Sequence, residues 1–396
     1  MKKIAAFLLT SIIIQSIDAQ SFIQAYKDRA DLVTQTQITS NLQEFSNLGV
    51  KTTGSQANTN ALNWLKNKYL SYGYTANQMA EDPFSYGNAP NIKNSTNLVI
   101  TKTGTVYPDQ YVIICGHYDT IVGPGVSDNG SGTSILLEAA RILKDVPTEY
   151  SIKFIHFSGE EQGLIGSTHY ANTVAYQGSV RNLDIKLVLN IDQVGGKIGN
   201  LNNTITCERD TGGMSTNNAA SNTATQELAA CTGFYSPLQT SISYAYSSDY
   251  MPFEAKGYTI TGLFEYIESG NQHTVNDTMA NVDPVYVLNV GKAAVGALQH
   301  FAIAATTNNV MATQEAPQKS LEAIQIYPNP AKDMIMVELP QKIKQSSIEV
   351  SDMTGKIVMN VGNQTKINVS GLQNGVYMVT VKTDKGNISR KVIIEK

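Results

Sequence analysis

The sequence predicts an α/β fold with a mixed, largely parallel central sheet flanked by helices, followed by a small C-terminal all-β sandwich. Three observations predict it. Short apolar runs at 97–101 (NLVIT), 111–115 (YVIIC), 153–157 (KFIHF), 187–191 (LVLNI) and 260–265 (ITGLFE) are rich in Val, Ile, Leu and Phe and have the length of buried strands. Stretches with helical spacing stand between or beside them, at 58–72, 133–145, 163–175 and 284–305. Strands alternating with covering helices give a largely parallel sheet. Beyond residue 320 the apolar period shortens to two, with Gly and Asn at the turns, which is the pattern of a small sandwich.

At 396 residues the chain exceeds the usual size of one core, so at least two domains are expected. Residues 1–19 carry Lys2 and Lys3, an apolar run and a terminal Ala19, the layout of a secretory signal rather than of a spanning helix. No later stretch is long and apolar enough to cross a bilayer. Residues 20–305 form the α/β domain, 306–320 a polar linker without periodicity, and 321–396 the sandwich. Three cysteines in an exported chain are an odd count. Cys115 falls in an apolar strand as a buried thiol, while Cys207 and Cys231 either pair or stay free. Residues 20–320 hold 17 Lys and Arg against 25 Asp and Glu, and 321–396 hold 10 against 7. Neither part has a dense basic stripe, which argues against nucleic acid as a partner.

The chemistry is concentrated in GHYDT (116–120), SDNGSG (127–132), GEEQG (159–163), NIDQVG (190–195) and HTVNDT (273–278). They supply His117, Asp128, Glu161, Asp192 and His273, two imidazoles and three carboxylates, a donor set that zinc accepts. One two-oxygen carboxylate can bridge a pair of ions, and five ligands exceed what a single tetrahedral zinc needs. Four of the segments follow directly on strands, and side chains beyond the carboxyl ends of neighbouring strands converge on one crevice. Glu160 and Glu161 are adjacent and must diverge, so if Glu161 ligates, Glu160 is the free carboxylate for proton transfer. Asp119 is placed to accept the second ring N–H of His117, and the glycines of SDNGSG allow the turn that faces Asp128 inward. His156, His169 and His300 are ordinary core or surface residues. HExxH, P-loop, GxSxG and CxxC patterns are absent.

From TTGSQANTNALNWL (52–65) through these five segments, GEEQGLIGS and SSDYMPFEAKGY, residues from about 50 to 305 resemble the secreted zinc aminopeptidases of the M28 family. The resemblance implies two zinc ions, one held by His117 and Asp192, the other by Glu161 and His273, with Asp128 bridging. It also implies Glu160 as general base, a substrate amino terminus anchored near the metals, and a cis peptide at Asp128–Asn129. Some members carry a Tyr before the last His ligand where this chain has Gln272; Tyr244, Tyr246 or Ser248 is left as oxyanion donor, and Tyr246 is the choice made here. The function so implied is removal of N-terminal residues from peptides with a free amino end. The alternatives are a glutaminyl-cyclase-like transferase using one zinc and a noncatalytic, receptor-like relative.

YPNPAKD, DMTGK, LQNGVY and the closing KVIIEK resemble the type A C-terminal sorting domain of type IX secretion. That resemblance implies passage through the periplasm, engagement of the type IX machinery and release to the cell surface or medium. A sugar-binding sandwich is the competing reading, but residues 321–396 contain no Trp or Phe and only Tyr327 and Tyr377.

Overall fold

The computed structural model describes residues 20–210, 212–306, 324–339, 345–352, 356–362, 364–383 and 386–396; the signal segment and 307–320 of the linker lie outside them. The chain divides into two compact units, with the boundary between Thr307 and Asn308. In the first unit the helices are α1 (Gln24–Ala30), α2 (Gln35–Asn47), α3 (Gln56–Ser71), α4 (Ser131–Leu143), α5 (Ile165–Tyr170), α6 (Asn218–Tyr235), α7 (Met251–Glu254) and α8 (Pro284–Phe301). The strands are β1 (Met79–Tyr86), β2 (Lys93–Lys102), β3 (Tyr107–His117), β4 (Tyr150–Phe157), β5 (Tyr176–Gln177), β6 (Val180–Arg181), β7 (Asp184–Ile191), β8 (Thr204–Arg209), β9 (Gln239–Tyr244) and β10 (Ile260–Glu265).

Eight strands form one sheet in the order β1-β2-β4-β3-β7-β10-β8-β9. Its centre, β4-β3-β7-β10, is parallel, as is the β8-β9 pair; β1-β2, β2-β4 and β10-β8 are antiparallel. The central strands read as unbroken apolar runs because both faces are covered. Val112 and Ile114 of β3 enter a core with α1 to α4, α6 and α8, while Ile113 and Cys115 enter a second core with Tyr170, Phe253 and Tyr258. Helix α4 is buried at twelve of its thirteen residues, the polar Ser131, Thr133, Ser134 and Glu138 among them.

Local signals set the helix ends. Ser55 accepts from the Asn58 N–H at 3.1 Å and starts α3 two residues ahead of the apolar spacing. Asp283 caps the first turn of α8, with Pro284 as its first residue; the helix stops at Phe301, short of the 305 expected. The 163–175 stretch is a six-residue helix continued by a wide turn at 171–175. Helices α1, α2 and α6 and strands β1, β8 and β9 were not anticipated. The possible Cys207–Cys231 bridge does not form: both are free, buried thiols, as is Cys115.

The second unit contains β11 (Gln325–Tyr327), β12 (Met334–Glu338), β13 (Gln345–Asp352), β14 (Ile357–Val361), β15 (Lys366–Asn368), β16 (Gly375–Thr383) and β17 (Gly386–Ile394). They form two antiparallel sheets, β11-β12-β15 and β14-β13-β16-β17. Period-two residues such as Ile335 and Val337, Ile348 and Val350, and Val379 and Val381 make a separate core.

Two histidines outside the strand-end cluster tie stability to pH. His156, on β4, is fully buried against the Tyr69 hydroxyl at 2.9 Å, and burial lowers it to about 3; burial likewise lowers His300 to about 4. Below the unfolded value near 6.5 the unfolded chain takes up protons that the native state refuses, so stability falls as pH drops from 6.5 through 4 toward 3. Urea denaturation in chelator at pH 7.5 and pH 5 should show His156→Gln reducing that fall by about 2 kcal/mol relative to wild type.

Candidate metal centre

Because β3, β4, β7 and β10 run parallel, their carboxyl ends lie on one edge of the sheet. His117 is the last residue of β3, Glu160 and Glu161 lie in the turn after β4, Asp192 follows β7, and the loop after β10 carries His273. Asp128 comes from the turn at Val126–Gly130 that leads into α4, with a cis Asp128–Asn129 peptide as the family resemblance implied.

All five expected ligands meet. His117 Nε2 is 3.1 Å from Asp128 Oδ1 and 3.2 Å from Asp192 Oδ1; His273 Nε2 is 3.0 Å from Asp128 Oδ2 and 3.0 Å from Glu161 Oε2. His117, Asp128 and Asp192 make one group of converging donors and Asp128, Glu161 and His273 another, each with its donor atoms within 4.8 Å of one another. Asp128 belongs to both, one oxygen facing each imidazole. It is 2% exposed, and neither of its oxygens has a hydrogen-bond donor among the described residues. Nor does Asp119, Asp128, Glu160, Glu161 or Asp192 make an ion pair with Lys or Arg among those residues. Buried carboxylates lacking both donors and cations are costly, and N/O donors in groups of three suit zinc. The residues present fit metal ions.

The electrostatics follow from burial and crowding. Burial works against ionising Asp128, but the imidazoles of His117 and His273 beside it prevail and hold it down, to about 2. Burial would lower His117, yet Asp192 and the neighbouring carboxylates hold it well above the ordinary histidine value. Glu160 and Glu161 are pushed up, chiefly by burial and then by nearby carboxylates, Asp192 for Glu160 and Asp128 for Glu161.

One expectation needs correction. Asp119 does not take the second His117 N–H on its side chain. Its backbone carbonyl lies 3.0 Å from Nδ1, whereas the carboxylate is 3.7 Å away. That carboxylate instead accepts from Thr53 Oγ1 at 3.0 Å and from the backbone N–H groups of Glu160 and Glu161 at 3.3 Å each, so it orients the turn bearing both glutamates. The glycines of SDNGSG do give the Asp128 turn the room it needs, and Gly125 just before it takes the left-handed conformation, at φ 62°. Gly132 is needed for close approach, since a Cβ there would meet the Ile191 carbonyl oxygen at 2.3 Å and Asn129 Oδ1 at 2.5 Å.

Tyr246 is brought to the centre: its hydroxyl donates to Asp192 Oδ2 at 2.8 Å, beside Ser248 Oγ at 2.6 Å on the same oxygen. Tyr244 is 62% exposed against Arg209, and Gln272 donates to Glu268. His156, His169 and His300 bond to Tyr69, Asp82 and Tyr235, outside both donor groups. One residue was missed. Asp277 accepts the backbone N–H groups of Ser127 and Asp128 at 2.7 and 3.0 Å and so holds the Asp128 turn. It stands in HTVNDT, four residues after His273, and that proximity was the available signal.

The fold and donor set define an α/β protein built to hold metal ions beyond the carboxyl edge of its sheet. Residues 97–298, just over half of the chain, match Peptidase family M28, and the protein belongs to that family. Residues 325–395 match the secretion system C-terminal sorting domain, which marks a secreted or cell-surface protein. The aminopeptidase YwaD of Bacillus subtilis is 40% identical over 105 residues, 26% of this chain and 22% of that protein. An aminopeptidase of Pseudomonas aeruginosa is 36% identical over 104 residues, 26% of this chain and 19% of that protein. The chain thus spans less than a quarter of the length of these curated relatives. The crystal structure of the Legionella pneumophila LapA aminopeptidase matches with a TM-score of 0.61 at 21% identity, over 76% of this chain and 80% of that one. A glutaminyl cyclase of Macrostomum lignano also matches at 0.61, with 14% identity over 74% and 96%. At these identities the likeness is one of fold, shared by peptidase and cyclase alike.

Gly132→Ala should test how tightly the Asp128 turn is set. Overpacking against the Ile191 carbonyl is expected to cost at least about 2 kcal/mol, read as a lower urea midpoint, and to weaken metal binding in competition with a chromophoric chelator.

Proposed function

We propose that the protein is a secreted zinc aminopeptidase that removes N-terminal residues from peptides. The observation that carries this reading is Asp128, shared between two complete groups of ligands with Glu160 one residue from a ligand and free of both groups. The names of relatives, aminopeptidase and probable zinc metalloprotease, support zinc as the metal. His117 and Asp192 would hold one ion, Glu161 and His273 the other, with Asp128 between them. When bound, zinc supplies a Lewis acid for the scissile carbonyl and lowers the pKa of water.

The chain's own residues do the rest. Glu160 accepts the proton of the attacking water and returns it to the leaving amine. Asp119 keeps Glu160 in place through the backbone of its turn. Tyr246, whose hydroxyl is at the centre, is the donor proposed for the oxyanion that develops on the carbonyl. The acidic surroundings favour the substrate's ammonium terminus, which makes the reading exopeptidic.

The 1–19 segment would direct entry to the periplasm, and the C-terminal unit would engage the type IX secretion machinery for release. It has its own core, separate from that of the metal centre.

Elemental analysis of active protein should give two zinc per chain, and a saturated value of one would reject the paired mechanism. Glu160→Gln should keep both ions and lose at least about a hundredfold in kcat. Mass spectrometry of a digested peptide should show a ladder from the N-terminus, with the N-acetylated peptide intact; internal cleavage would reject the assignment. Deleting 321–396 should leave kcat/KM on small aminoacyl substrates within about threefold while abolishing appearance outside a host that has the secretion system.

A further inference from the structure

We propose that the cavity beside His273 selects a long cationic side chain, lysine-like or arginine-like, on the first residue of the substrate, with Glu208 as its charge partner. This specificity rests on the aminopeptidase reading above.

A cavity of about 710 Å³ opens next to His273 and Tyr246, on the face of β8 and β10 turned away from α6 and α8. Strand register decides what lines it. Ile205, Cys207 and Leu263 enter the helix-side core, so Glu208 and Phe264 project from the opposite face. Glu208 pairs across the sheet with Gly262, where a Cβ would lie 2.7 Å from Glu208 Oε2; the absence of a side chain there leaves room for the carboxylate.

Glu208 is 2% exposed, lines the cavity, and its Oε2 has no hydrogen-bond partner among the described residues. A buried carboxylate oxygen without a donor is unfavourable, and an ammonium or guanidinium group would supply the donor. The Tyr246 and Phe264 rings, with centroids 4.8 Å apart, give an aromatic wall that suits a methylene stem and its cation. Glu265 and Glu268 also line the cavity and, among the described residues, no Lys or Arg does, so its field has one sign. Glu265 is held by the N–H groups of Gly196 and Ser269, and the exposed Glu268 takes one bond from Gln272, which leaves Glu208 as the buried carboxylate with an open position. Burial holds its carboxyl well above the usual range although the Tyr250 hydroxyl bonds to it, so an entering cation would favour the ionised form and release a proton.

If Glu208 instead held the amino terminus common to all substrates, its loss would affect every substrate alike. The zinc-loaded full chain should therefore be assayed on arginyl-, lysyl-, leucyl- and alanyl-arylamides. We expect kcat/KM for arginine and lysine at least about tenfold above leucine, and Glu208→Gln should lower the arginine-to-leucine ratio at least about tenfold, the scale of one charged hydrogen bond. The ratio is unaffected by a partly unfolded preparation, since both substrates report the same folded fraction. A wild-type preference for leucine, or an equal loss on both substrates in Glu208→Gln, would overturn the proposal. Calorimetry of argininamide and leucinamide binding to Glu160→Gln protein reads the same preference without turnover, and equal affinities would also overturn it. Preference for argininamide without hydrolysis of any aminoacyl substrate would uphold the cavity's selectivity and reject only the aminopeptidase reading.

Discussion

Asp128 divides its two oxygens between His117 and His273 while almost wholly removed from water, and much of the molecule is arranged around that position. A buried carboxylate is tolerable only when donors or cations replace the lost hydration. The protein places Asp119, Glu160, Glu161 and Asp192 in the same region, so the charge must be met by metal ions and by backbone dipoles. The backbone contribution is visible: Asp277 and Asp119, carboxylates themselves, are held by paired N–H groups and in turn fix the two turns that present Asp128 and Glu161.

Such a cluster needs a rigid support, and the sheet provides it. Parallel strands covered on both faces bring four chain segments, far apart in sequence, to one edge with little freedom to relax. Close packing around Gly132 and the bond from Asn129 Nδ2 to the Ile191 carbonyl at 2.9 Å lock the Asp128 turn to the end of β7. A shift in one turn is therefore felt at both donor groups. The β-rich C-terminal unit, which matches the sorting-domain family, keeps its own small core, composed of none of the residues that form the metal centre.

The antiparallel outer strands serve a different purpose. β8 and β9 extend the sheet beyond β10, with helix cover on one face and the cavity on the other. That half-open face gives the site a wall of side chains. Glu208 and Phe264 belong to this wall.

What the sequence by itself determined is the part with a strong local signal. The central strands are legible because double-sided burial leaves them as apolar runs, and the five residues whose donor atoms cluster because metal chemistry restricts residue type and strand ends restrict place. TITCER of β8 and QTSISY of β9 lack such runs, since one face meets the cavity; α1 is only seven residues long and α6 has a weak apolar stripe, whereas α2 carries Ile38, Leu42 and Phe45 at helical spacing and was legible. Tertiary structure alone decided that the Asp119 carboxylate holds the backbone of another turn while its carbonyl, not its side chain, meets His117. It also decided that Cys207 and Cys231 remain separate thiols, and that Glu208 faces the cavity beside His273. Each of these depends on register and on contacts between distant segments, and a linear sequence carries those only through the packing of the whole.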